Sequence, residues 1–137
     1  MSIELTPIGT ACQLACSYCY QEPMRQASGN KPTSYDLRAM FSALEREGVG
    51  KLDGRGNKTG FIVFGGEPLL TPVQDLERIF IYGLGASGKN GIQTNGALIT
   101  DRHVDLFKRW NVHVGFSIDG PGDLNSARIA GDRKSVV

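Results

Sequence analysis

Cys12, Cys16 and Cys19 stand in one short stretch as Cys-x3-Cys-x2-Cys, and they are the only 3 cysteines of the chain. Thiolates so close in sequence can converge on one metal centre within a single loop. Three ligands do not fill a structural zinc site, which is almost always four-coordinate. His103 and His113 fall on a predicted helix and strand rather than beside the cysteines. An odd cysteine count in a chain without a secretory start argues against a disulfide framework. An iron–sulfur cubane held by three thiolates keeps one iron without a protein ligand, open to the hard donors of a small molecule. Zinc completed by an exogenous or partner ligand, and unliganded thiols, are the weaker alternatives.

Three more polar motifs follow along the chain: Gly65-Gly66-Glu67-Pro68, Gln93-Thr94-Asn95-Gly96, and Ser117-Ile118-Asp119-Gly120-Pro121. Each has an ordinary explanation when taken alone. Paired glycines and a proline are turn chemistry, Asn-Gly is a turn signal, and an aspartate after a strand is a cap. Gly83-Leu84-Gly85-Ala86-Ser87-Gly88-Lys89-Asn90 fits a dinucleotide pattern and nearly a P-loop. Both of those need a strand before and a helix after. An amphipathic helix precedes this stretch and a short strand follows, so it is read as a helix-to-strand loop.

The elements that must position these motifs alternate in type. Ile3–Thr6 is a short candidate strand that feeds the cysteines. Thr33 or Ser34 caps a predicted helix reaching about Glu47, with Leu37, Met40, Phe41 and Leu44 on one face and Gly48 ending it. The glycine- and charge-rich stretch 48–60 is an exposed connection. Phe61–Phe64 reads as a strand buried on both faces. A helix from about Val73 to Tyr82 presents Val73, Leu76, Ile79 and Phe80. Residues 91–94 form a third strand, and Thr100 or Asp101 caps a helix that packs through Val104, Leu106, Phe107 and Trp110. Residues 112–118 form a fourth strand. Strand–helix repeats of this kind build an α/β fold with a parallel sheet, expected here as a partial, TIM-like barrel of about four βα units. Ligands of such sheets bind at the carboxyl ends of the strands. All four polar motifs fall at those ends.

Bulk composition narrows the function classes. The 137 residues suit one domain, and the formal net charge is +1, from 15 basic and 14 acidic residues. That balance gives no electrostatic reason to expect nucleic acid or an anionic membrane surface. Hydrophobic residues make up 40% of the chain, and no run approaches the roughly 20 apolar residues of a membrane span. Glu4 lies where a signal peptide would carry its basic start, so a cytoplasmic location with reduced thiols is expected. The 18 glycines cluster in short groups, as expected where backbone approaches a ligand.

Cys12-x3-Cys16-x-Tyr18-Cys19 resembles the signature of the radical S-adenosylmethionine superfamily, including the aromatic residue before the third cysteine. The other three motifs resemble those that follow in that family, in order and at similar spacing. The combination is most similar to the branch of anaerobic sulfatase-maturating enzymes and peptide-modifying maturases with SPASM or twitch domains. The resemblance runs from about Ile3 to Arg128.

The resemblance implies that Cys12, Cys16 and Cys19 hold a 4Fe–4S cluster whose fourth iron binds S-adenosylmethionine. It implies that Tyr18 lies near the adenine, and that Gly65, Gly66 and Glu67 accept hydrogen bonds from the ammonium group. Thr94, Asn95 and Ser117 would meet the ribose or the methionyl carboxylate, with Asp119 in the same set. The implied reaction is reductive cleavage of the sulfonium, giving methionine and a 5′-deoxyadenosyl radical that abstracts hydrogen, from a peptide or protein in this branch. An electron donor such as flavodoxin or ferredoxin is the implied partner. No residue beyond the cluster can be given a catalytic role. The branch normally continues through about six βα units and a C-terminal domain with further cysteines. Residues 1–137 are therefore read as the N-terminal portion of a core domain, without those later units. The alternatives are a non-catalytic or truncated iron–sulfur and S-adenosylmethionine binding module, and a zinc-binding interaction domain.

Overall fold

The computed structural model describes residues 3–7 and 35–117. Within them, strands β1 (Ile3–Leu5), β2 (Phe61–Val63), β3 (Asn90–Thr94) and β4 (Val112–Phe116) form one parallel sheet in the order β1-β2-β3-β4. Helices α1 (Leu37–Glu47), α2 (Val73–Ser87) and α3 (Asp101–Arg109) alternate with the strands, and a 3-10 turn, Pro68–Leu70, precedes α2. The α/β class and the strand–helix alternation expected from the sequence are therefore present.

Phe61, Val63 and Ile92 point from the sheet into a core completed by Leu44, Leu76, Ile79, Phe80, Leu106 and Phe107. Register pairs Val63 with Ile92 and Ile92 with Val114 on this helix-covered face. The period of two puts Ile62, Gln93 and His113 on the other face. Ile62 keeps 40% exposure. The strand expected to be buried on both faces is thus buried on one, because the described helices cover one face only.

Local chemistry explains where the helices begin and end. Thr33 and Ser34 lie outside the described residues; the N-cap of α1 is Asp36, whose carboxylate accepts the Arg38 N–H at 2.9 Å. Gly48 closes the helix with a φ of 108°, a left-handed conformation that glycine adopts without a Cβ penalty. The Phe41 ring stacks on Tyr82 of α2 with centroids 4.4 Å apart. In α3, Leu106 and Phe107 are buried as expected, whereas Val104 lies exposed on the far side. Residues 51–58 of the connection before β2 are exposed throughout, as expected.

Helix α2 does not stop at Tyr82. It continues through Gly83 and Gly85 to Ser87, and Gly88 caps it with a φ of 75°. The glycine-rich stretch read as a loop is therefore mostly helix, and β3 begins at Asn90. The reason is a packing contact. A Cβ on Gly83 would sit 2.1 Å from Asn90 Oδ1. Asn90 Nδ2 donates to the Phe80 carbonyl at 2.8 Å and to the Trp110 carbonyl at 3.0 Å, tying β3 to α2 and to the end of α3. The glycine that imitates a nucleotide-binding loop leaves room for this asparagine.

His103, on the helix expected from the sequence, is buried near the start of α3. Its Nδ1 accepts the N–H of the N-cap residue Thr100 at 3.1 Å. An acceptor Nδ1 requires the neutral ring with its proton on Nε2. Burial, with the Arg102 charge adding to it, lowers the His103 pKa below its ordinary 6.5.

Two outcomes are expected. Gly83→Ala forces Asn90 off its two carbonyls and should lower stability by about 1–3 kcal/mol in urea unfolding. Because the folded pKa of His103 is depressed, its contribution is complete above pH 6.5. It should be lost as pH falls through the folded value. Urea midpoints measured across that range should lose this component in His103→Gln.

Candidate functional site

Parallel strands place all their carboxyl ends on one side. β1 runs out through Thr6 to Pro7 beside β2, where the Phe64 N–H donates to the Leu5 carbonyl at 2.8 Å. From Pro7 the chain proceeds toward Cys12. Cys12, Cys16, Cys19, Tyr18 and Asp119 lie outside the described residues, as does Arg128. Gly65, Gly66 and Glu67 follow β2, Thr94 closes β3 with Asn95 and Gly96 after it, and Ser117 follows β4. The β3 and β4 ends are joined by the Ser117 N–H, which donates to the Thr94 carbonyl at 2.9 Å.

Glu67 holds the centre of this end of the sheet and is fully buried, at 0% exposure. The Thr94 hydroxyl donates to its carboxylate, 2.6 Å from Oε1 and 2.7 Å from Oε2. The Asn95 N–H donates to Oε2 at 3.2 Å, and the Leu69 N–H is a further donor. Thr94, 2% exposed, also accepts the Gly96 N–H on its hydroxyl oxygen at 3.1 Å. The Glu67 and Thr94 side chains are thus turned upon each other. Burial raises the Glu67 pKa above its ordinary 4.5, while the bonds from Thr94, Asn95 and Leu69 work against that rise.

Glycines allow the loops to take their shapes. Gly65 has a φ of 123°, a conformation that L side chains rarely adopt. Gly96, with a φ of 81°, carries the Phe116 ring so close that a Cβ would stand 3.1 Å from two ring carbons. Asn95 Oδ1 accepts the Ala97 N–H at 2.9 Å, a local turn that holds the backbone after β3. The Gln93 amide donates to Ser117 Oγ at 2.8 Å. The sequence places Gln93 on the third strand and at the head of the Gln93-Thr94-Asn95-Gly96 motif, with no role of its own. Its position one residue before Thr94, with glycine at Gly115, was the available signal.

The donor set suits an iron–sulfur cluster and a cationic ligand in composition. Three thiolates without a fourth protein ligand match a cubane with one open iron. Among the described residues, no group of three or more His, Cys, Asp or Glu side chains could hold a metal ion. Neither does any described helix have the length and apolar character needed to cross a membrane.

Comparison with known proteins adds three findings. The sequence model of the Radical SAM superfamily matches residues 6–136. The serine-type anaerobic sulfatase-maturating enzyme of Klebsiella aerogenes is 31% identical over 123 residues, which is 86% of this chain and 29% of that protein. The cysteine-type enzyme of Clostridium perfringens (strain 13 / Type A) is 24% identical over 131 residues, 92% of this chain and 35% of that protein. The chain thus spans about a third of the length of these curated relatives. Native anSMEcpe, solved with bound AdoMet and the Kp18Cys peptide, aligns with a TM-score of 0.75 at 23% identity, over 98% of this chain and 36% of that one. The same protein solved with AdoMet alone gives 0.73 at 24% identity. These structural likenesses establish a shared fold.

The brace between β2 and β3 is open to test by unfolding in urea. Glu67→Ala strips the acceptor from three donors, those of Thr94 and Leu69 buried, and should cost about 3 kcal/mol or more. Glu67→Gln keeps one acceptor oxygen and should cost less. Thr94→Val should be coupled to Glu67→Ala by about 1 kcal/mol or more in a double-mutant cycle. A raised carboxyl pKa contributes stability below pH 4.5 that is lost as pH rises through the folded value. Glu67→Gln should remove that component.

Proposed function

The chain belongs to the radical S-adenosylmethionine superfamily, and on that premise we propose that the carboxyl ends of its strands hold a 4Fe–4S cluster and S-adenosylmethionine for radical chemistry. Cys12, Cys16 and Cys19 are the cluster ligands in this reading, with Tyr18 beside the adenine. Residues 1–137 form the N-terminal portion of the core domain. The observation that carries the reading is the convergence of Pro7, Gly65–Glu67, Thr94–Gly96 and Ser117 on one end of one sheet, fastened by bonds that cross from strand to strand.

Within that site Glu67 and Thr94 act mainly by fixing the two loops. Their bond leaves the backbone of Gly65 and Gly66 to meet the ammonium group, which carbonyl oxygens accept well. Asn95, Ser117 and Asp119 remain for the ribose and carboxylate. When bound, the two groups supply one-electron cleavage of the sulfonium to methionine and a 5′-deoxyadenosyl radical that abstracts hydrogen. The electron comes from a donor such as flavodoxin or ferredoxin, in a reducing, cytoplasmic setting. The substrate is a peptide or protein side chain, as the names of the sulfatase-maturating relatives suggest.

Anaerobic reconstitution followed by metal and product analysis tests this. About four irons and four sulfides per chain are expected, falling sharply in Cys16→Ala. With dithionite and S-adenosylmethionine, 5′-deoxyadenosine and methionine should accumulate together. A cluster without either product would favour the non-catalytic binding module. Zinc without sulfide would favour the zinc domain.

A further inference from the structure

Gln93 and Gly115 are register partners on β3 and β4, on the sheet face that the described helices leave open. The Gln93 side chain lies across Gly115. A Cβ on that glycine would stand 2.3 Å from Gln93 Oε1 and 3.2 Å from Cδ. Lying there, the amide reaches one residue beyond β4 and donates through Nε2 to Ser117 Oγ at 2.8 Å. The Ser117 main chain is held at the same time by the Thr94 carbonyl. Ser117 is therefore fixed through both its backbone and its hydroxyl.

A serine hydroxyl has one proton to give and two lone pairs to accept with. The amide N–H occupies a lone pair and turns the hydroxyl proton away from Gln93. No described residue accepts that proton. We propose that Gln93 is a positioning residue that presents Ser117 as a hydrogen-bond donor to an acceptor oxygen of S-adenosylmethionine, and that position 115 is glycine so that the amide can lie there. This rests on the S-adenosylmethionine reading of the site. In this reading Gln93 acts on the ligand through its bond to Ser117.

The test is the dissociation constant of S-adenosylmethionine, read from the ligand-induced change in the spectrum of the reconstituted protein. Gln93→Met keeps the length of the side chain without the donor and should raise the constant about 5–10-fold, the loss of one hydrogen bond. Gln93→Glu, which accepts from the hydroxyl instead of donating to it, should weaken binding at least as much at neutral pH. Gly115→Ala should resemble Gln93→Met by displacing the amide. Ser117→Ala should abolish the sensitivity to Gln93, so that the double variant is no weaker than Ser117→Ala alone. Ser117→Thr, which keeps a hydroxyl, should retain that sensitivity.

Urea midpoints and iron content taken on the same samples separate positioning from damage to the fold. Wild-type affinity in Gln93→Met, or additive losses in the double variant, would overturn the role of Gln93 while the binding reading stands. A wild-type cluster protein whose spectrum ignores S-adenosylmethionine would overturn both.

Discussion

A carboxylate sealed from water must find its hydrogen-bond donors inside the protein, and Glu67 finds them on the next strand. Its partners come from the end of β3 and from the 3-10 turn after β2. An unsatisfied buried acceptor of this kind costs about 1–3 kcal/mol or more when charged. The loop after β2 and the loop after β3 are therefore held in one arrangement, and every other feature of the strand ends is built on that. Thr94 turns inward to meet Glu67, and its carbonyl receives Ser117 from β4. The bonds at the strand ends run β1 to β2 to β3 to β4 without a gap.

The same sheet has two unlike faces. The face under the helices is filled by aliphatic and aromatic side chains from Phe61 to Phe107. The other carries Ile62, Gln93 and His113, with glycine at positions 91 and 115. Small residues on that face let long neighbours lie flat against the sheet. Gln93 over Gly115 is one case, and Ile62 beside Gly91 is another, where a Cβ would touch the isoleucine at 3.4 Å. Glycine in a strand lowers stability in general, so its use here trades sheet strength for the placement of a polar side chain.

Much of this was legible in the sequence because it follows from period and punctuation. The apolar face of α1, the stop at Gly48 and the strand-like runs of β2 and β4 are local signals. So is the grouping of polar motifs after each strand. What escaped notice is non-local. Nothing near Gly83 says that Asn90 will occupy the space of its missing Cβ, so the local pattern reads as a loop where the chain is helical. Exposure of Ile62 depends on which face the helices cover, which a four-residue apolar run does not encode. Glu67 stands out by its company of glycines and proline, yet its partner Thr94 lies on a different strand, and Ser117 lies beyond a different strand from Gln93. Each is a side-chain bond across the sheet, visible only once the register is known.

The most direct measurement is electron paramagnetic resonance of the anaerobically reconstituted, reduced protein with and without S-adenosylmethionine. The account predicts the signal of a reduced 4Fe–4S centre whose shape changes when the ligand is added, as an iron without a protein ligand requires. A signal indifferent to S-adenosylmethionine, or none at all, would contradict it.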